Sequence, residues 1–134
     1  MIYAVIDTNV LVSALFTHNA ESATVKVVEA MLCGVIVPLL DNEIIEEYID
    51  VLNRPKFNFS KKLIRQFIET IRQKGVMTRR VQSQEHFTDL KDVIFYEIAL
   101  SKENAYLVTG NTKHFPETPI VVTPAEMVRI IEDI

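Results

Sequence analysis

Glycine is scarce in this chain, three residues in 134, and they never gather into a loop. A P-loop or a dinucleotide fingerprint needs several closely spaced glycines to bring backbone N–H groups onto phosphates, so both are excluded. The single cysteine, Cys33, cannot form an internal disulfide and has no zinc-site spacing; beside Met31 and Leu32 in a helical pattern, it is expected to pack in the core. The three histidines, His18, His86 and His114, show no ligand spacing either. Although 49% of the residues are hydrophobic, the longest apolar runs are too short to cross a bilayer. No charged leader with a cleavable apolar segment precedes Asp7, and the expectation is a soluble, cytoplasmic protein with no membrane partner. The length suits one domain, 1–134, large enough to bury a proper core.

What is present is an alternation of short apolar strands and amphipathic helices, which predicts a three-layer α/β/α fold around a central, mostly parallel sheet. Residues 2–6 read as the first strand, and a helix begins at Thr8 with Val10, Leu11, Ala14 and Leu15 on one face. A second helix uses Ala20, Ala23, Val27, Ala30 and Met31, and Gly34 ends it. Val35–Val37 is the next strand. Asp41 then caps a helix whose apolar face is Ile44, Ile45, Tyr48, Ile49 and Leu52, and Pro55 prevents its continuation. Ser60 caps the following helix, striped by Leu63, Ile64, Phe67, Ile68 and Ile71 and stopped by Gly75. Val76–Val81 reads as a short strand, Asp89 caps a helix running to about Glu103, and strands follow at 105–108 and 120–122. Thr123-Pro124-Ala125-Glu126 opens the last helix as a capping box with proline at the first helical position.

The first strand stops on Asp7, a charge at the edge of a core, which is unfavourable by several kcal/mol unless something pairs with it. Thr8 can cap the helix that follows, leaving Asp7 free for chemistry. Ligands of open parallel sheets bind beyond the carboxyl ends of the strands, where strand order reverses; Asp7 is at such an end, and so is Asn111, after Leu107-Val108-Thr109-Gly110. On the helix from Asp41, the acids Glu43, Glu46, Glu47 and Asp50 repel one another at helical spacing. Glu47, flanked by Ile44 and Val51, is the one nearest the apolar face. Asp89 is explained as an N-cap, and Asp92 alone would be a first-turn acid favoured by the helix dipole. Together, however, Asp7, Glu47, Asp92 and Asn111 come from four elements and can meet at one crevice. A hard divalent cation resolves the repulsion among such acids, and Mg²⁺, with oxygen ligands and retained waters, suits them better than zinc.

Asp7-Thr8-Asn9, the acid at Glu47, the Asp89/Asp92 pair and Leu107-Val108-Thr109-Gly110-Asn111 before His114-Phe115 together resemble the PIN domain family along the whole chain. Leu52-Asn53-Arg54-Pro55-Lys56-Phe57 further resembles the branch formed by toxins of prokaryotic toxin–antitoxin pairs. The resemblance implies a ribonuclease that uses Mg²⁺ or Mn²⁺ held by Asp7, Glu47 and Asp92, with Thr8, Asn9, Thr109 and Asp89 around them. It implies RNA as substrate, a small antitoxin protein as partner, and self-association into a homo-oligomer. One departure is Asn111, where many members have an aspartate; the missing charge weakens the case for a second ion.

Charge is segregated. The chain carries −4 overall, yet residues 54–80 hold nine basic side chains against one acid, Glu69, a local +8 that leaves −12 elsewhere. Arg54, Lys56, Lys61, Lys62 and Arg65 in this stretch are the candidates for gripping an RNA backbone, with Phe57 and Phe59 near enough to stack bases. Two other functions fit the acids: a phosphoaspartate-forming hydrolase with Asp7 as nucleophile, which would lack its general acid because Asn9 stands two residues on, and a catalytically silent binding module.

Overall fold

The opening apolar run forms strand β1 (Ile2–Ile6), and in the computed structural model, which describes residues 1–134, it occupies the middle of a five-stranded parallel sheet. The chain continues through α1 (Thr8–Phe16), α2 (Ala23–Leu32), β2 (Ile36–Leu40), α3 (Asn42–Leu52), α4 (Lys61–Lys74) and β3 (Val76–Met77). It then passes through α5 (Leu90–Ala99), β4 (Tyr106–Val108), β5 (Val121–Val122) and α6 (Pro124–Glu132), with short 3-10 turns at Pro55–Phe57 and Thr112–His114. Strand order is β3-β2-β1-β4-β5. The sheet grows outward from β1 in one direction through β3 and then restarts on the other side with β4, so the order reverses between β1 and β4.

The architecture is the expected three-layer α/β/α fold. Parallel strands covered on both faces read as unbroken apolar runs, and every residue of β2 is buried. Helix α2 packs on β2 and against α1, α4 and α6, whereas α5 lies over β1, β2 and β4. The predicted caps at Asp41, Ser60, Asp89 and Thr123 all form, the last as a complete capping box. Gly34, at φ +83°, ends α2 in the left-handed conformation that glycine adopts without strain.

Several expectations change. Thr8 does not cap α1: Asp7 occupies the N-cap position, and neither side chain makes a capping hydrogen bond. Ala20 lies in a turn before α2, which starts after Ser22. Strand β2 runs through Pro38, paired with Ala4, and continues to Leu40, because its apolar run is buried by the sheet whatever the proline does to local hydrogen bonding. β3 has only two residues, and α5 stops at Ala99, four residues short of Glu103, as the chain turns through Asn104 at φ 64°. Leu63 is 41% exposed rather than part of the buried stripe of α4, and Cys33, the C-cap of α2, is exposed although Met31 two residues earlier is buried.

One buried contact ties a helix to the strand end. Tyr48 of α3 is fully buried and donates its hydroxyl to the carbonyl oxygen of Ile6, and burial raises its pKa, keeping the phenol protonated as the donor. Tyr48→Phe, which removes this hydrogen bond at constant shape, is expected to lower unfolding free energy by about 1–3 kcal/mol with an unchanged denaturant slope in urea titration.

Candidate active site

The end of β1 and the end of β4 are adjacent and in register, Ile6 beside Val108, and the Asp7 N–H donates to the Val108 carbonyl at 2.9 Å. Asp7 and Thr109 therefore leave the sheet side by side at the point where strand order reverses. The Thr109 hydroxyl, wholly buried, donates to Asp7 Oδ2 at 2.7 Å. It also accepts the Asn111 N–H at 3.0 Å. Asn9 closes the arrangement from below: its amide nitrogen stands 3.3 Å from Asp7 Oδ2, and its amide oxygen accepts the Gly110 N–H at 3.1 Å. The segments Asp7–Asn9 and Thr109–Asn111 thus interlock through three side chains. Asp7 is only 8% exposed. Burial pushes its carboxyl above the ordinary value, and the Thr109 hydrogen bond opposes that rise without cancelling it.

Two helices bring further acids. The Tyr48 anchor fixes the rotation of α3, which leaves Glu47 half-buried while Glu43, Glu46 and Asp50 are exposed. Asp89 caps α5, accepting the Lys91 N–H at 2.9 Å, and places Asp92 in the first turn with its side chain 16% exposed. Asp7, Glu47, Asp89 and Asp92 line one crevice of about 510 Å³, together with Thr8 and Asn9. Asp92, like Asp7, is pushed towards protonation. Burial, then the charges of Asp7 and Asp89, push its pKa up to about 6, against an opposing pull from His114.

His114 is the residue that the sequence concealed. Its Nδ1 lies 3.5 Å from Asp92 Oδ2 and its Nε2 lies 2.9 Å from the amide nitrogen of Asn111. With the amide donating, the ring proton sits on Nδ1, towards Asp92. Asn111 itself does not line the crevice; it reaches Asp92 through this imidazole. His114 stood in the sequence only as part of the family-like pattern, without a role; the 3-10 turn Thr112–His114 is what brings it to Asn111. Phe16, Arg54, Phe57 and Lys91 also line the crevice, and Phe16 and Lys91 carried no sequence signal.

The basic stretch divides. Arg80 is taken up structurally: its guanidinium bridges Glu97 at 2.7 Å and Glu43 at 3.1 Å. Glu97, though buried, is held below its ordinary pKa against the effect of burial by the Ser83 N–H and by Arg80. Arg54 stands at the crevice and makes a loose pair with Asp50, 3.6 Å. Lys61 and Arg65 line a second hollow of about 480 Å³ between α3 and α4, joined there by Arg72. Lys62 is exposed beside them, and Lys56 lies over the ring of Phe57.

As to ligands, no three histidine, cysteine or carboxylate side chains converge closely enough to cage an ion by themselves. The crevice offers oxygen donors, and the hydroxyl of Thr8, buried on its wall, has no partner in the protein. A protein-family model described as PIN domain matches residues 3–113. No curated protein matches the chain.

A carboxyl whose pKa is higher folded than unfolded stabilises the fold below its unfolded value and loses that contribution as pH rises through the folded value. For Asp92 the window runs from about 3.8 to about 6. Carboxyls such as Glu97 act in the opposite sense, so the informative quantity is a difference. In EDTA, wild type is expected to lose stability relative to Asp92→Asn as pH rises from 4 to 7, measured by urea unfolding at each pH; a flat difference places Asp92 outside the cluster.

Proposed function

The chain belongs to the PIN domain family, whose members are in general metal-dependent nucleases, and on that premise we propose that it hydrolyses RNA phosphodiester bonds using Mg²⁺ or Mn²⁺. The observation that supports this most is the meeting of Asp7, Glu47, Asp89 and Asp92 on one crevice, where none of them pairs with a lysine or arginine and two are pushed towards protonation. Acids so arranged repel one another, and a hard cation removes the repulsion. The donor set fits Mg²⁺ in kind: this ion takes one or two carboxylates and keeps several waters, so it does not require a cage of three protein ligands. The unpartnered Thr8 hydroxyl also suits a site that holds water.

In this reading Asp7 and Asp92 hold the cation and Glu47 completes the site or orients the attacking water. When bound, the cation supplies Lewis acidity at the phosphoryl oxygen and lowers the pKa of that water. Thr109 and Asn9 fix the Asp7 carboxylate through its Oδ2 on the wall of the crevice. Asp89 holds the start of α5 and so the position of Asp92. His114, oriented by Asn111, faces Asp92 with an N–H. Because Asn111 stands outside the crevice and bears no charge, one ion is favoured over two. Arg54, Lys56, Lys61, Lys62 and Arg65 form the grip on the RNA backbone, from the crevice across the end of α3 to the hollow beside α4. The Leu52–Phe57 stretch supports the finer assignment of a cytoplasmic toxin, self-associating and neutralised by a small antitoxin protein.

Two outcomes test this. Mn²⁺ is expected to raise the melting temperature, whereas Asp7→Asn and Asp92→Asn are each expected to weaken Mn²⁺ binding in calorimetry while raising stability in EDTA, since each removes a repelling charge. Unaltered Mn²⁺ titrations in both variants would move the metal elsewhere. Replacing Lys61, Lys62 and Arg65 together with glutamine is expected to weaken RNA binding irrespective of sequence and to flatten its logarithmic salt dependence by up to about 0.7 for each phosphate no longer neutralised. An unchanged slope in fluorescence anisotropy would remove this face from the RNA path.

A further inference from the structure

Three phenylalanines gather at one end of the carboxylate crevice. Phe16, the last residue of α1, is 51% exposed. Its ring meets Phe57 edge-on at 5.8 Å and Phe59 at 5.5 Å, while Phe57 and Phe59 stack on each other at 5.8 Å with 19° between their planes. Phe59 backs the group against the core, and Phe16 and Phe57 form a wall of the same crevice that holds Asp7, Glu47 and Asp92. Arg54 lines that wall too, and Lys56 Nζ stands 5.1 Å from the centroid of Phe57. Packing alone does not require this placement: a ring half in water at the end of a helix forfeits much of its burial, and an aliphatic residue would close α1 as well.

We propose that Phe16 and Phe57 form a base-stacking subsite for an unpaired nucleobase of the RNA, next to the phosphate that the acids address. The inference rests on the nuclease reading and deepens it. Phe57 and Phe59 are too closely stacked to admit a base between them, so the base stacks on the exposed face of Phe16 and against the edge of Phe57. A paired base cannot reach such a wall, because its faces are covered by neighbours in the helix and its edge by its partner. The subsite therefore selects single-stranded or looped RNA, and selects weakly among bases, since every base presents a π face. Arg54 and Lys56 flank the rings where the backbone of the same nucleotide carries its phosphate, which places cations and aromatics in the alternation that single-strand binders use. The volume of about 510 Å³ accommodates a ligand of nucleotide size beside the acids.

The test is binding in EDTA, where cleavage does not intervene, of a single-stranded RNA carrying one 2-aminopurine, and of the same strand annealed to its complement. Wild type is expected to prefer the single strand and to quench the 2-aminopurine. Phe16→Leu, which keeps apolar bulk and removes the ring, is expected to weaken single-strand binding about 5- to 100-fold and to abolish the preference over duplex. Its salt dependence should stay that of wild type, in contrast to the lysine and arginine variants, because every phosphate keeps its cation. Phe16→Tyr should restore affinity and quenching, and Phe57→Leu provides a second variant with its melting temperature recorded alongside. Wild-type affinity and quenching in both leucine variants would overturn the subsite while leaving the nuclease reading intact, and would assign the aromatic cluster to packing or to a protein partner. Failure of wild type to bind any RNA would overturn the nuclease reading, and the subsite with it.

Discussion

The hydrogen bond from Thr109 to Asp7 is the constraint around which the rest is arranged. A carboxylate nearly removed from water needs donors. They come from the end of the neighbouring strand, through Thr109, and from the start of α1, through Asn9. That neighbour is β4 because strand order reverses there. The segment after β4 is then placed: the Thr109 hydroxyl takes the Asn111 N–H, Asn111 orients His114, and His114 comes within 3.5 Å of Asp92. On the other flank the Ile6 carbonyl, one residue before Asp7, holds Tyr48 and with it the rotation of α3 that turns Glu47 inward. Strand β1 thus organises the crevice in two directions from two consecutive residues.

Much of this was legible in the residues. Strand β2 and the carboxyl halves of β1 and β4 are buried on both faces, so unbroken apolar runs marked them, whereas the edge strand β3 is exposed; the caps at Asp41, Ser60, Asp89 and Thr123 are local chemistry that needs no tertiary information. Glu47 could be singled out among four acids because helical geometry alone places it near Ile44 and Val51. What failed was whatever the third dimension decides. Pro38 looked like the end of a strand, and β2 continues because the sheet buries Leu39 and Leu40. Thr8 looked like the better cap, yet the bend of the chain out of β1 puts Asp7 in that position with its carboxylate turned away to Thr109. His114 had no partner at any metal-ligand spacing; its partners come from a turn and from a helix more than twenty residues away. Phe16 read as one more apolar residue of α1, and only the approach of Pro55–Phe59 makes it part of a cluster.

The charge pattern also changes meaning once folded. Nine basic residues in one stretch gave the impression of a uniform positive margin, but Arg80 is committed to Glu43 and Glu97 and belongs to the scaffold. That pair of contacts, with the Ser83 N–H on Glu97, pins the otherwise irregular chain between β3 and α5 to the body of the protein. Since Asp89 lies at the end of this irregular stretch, Arg80 contributes to the site by restricting where α5 can begin. The cations left for a polyanion are those on α4 and at the crevice, which flank the acids without neutralising them.

The contact between Asp7 and Thr109 spans 102 positions of sequence, and a contact of that range carries the entropic cost of closing a long loop. Synthesis runs from the end that carries Asp7. Asp7, Glu47 and the whole basic stretch emerge before Asp92, and Asp92 before the strand that secures Asp7. A nascent chain therefore exposes Asp7 before the residue that buries and anchors its carboxylate has been made. Order of emergence thus leaves the first acid of the crevice without its anchor until nearly the whole chain has been made.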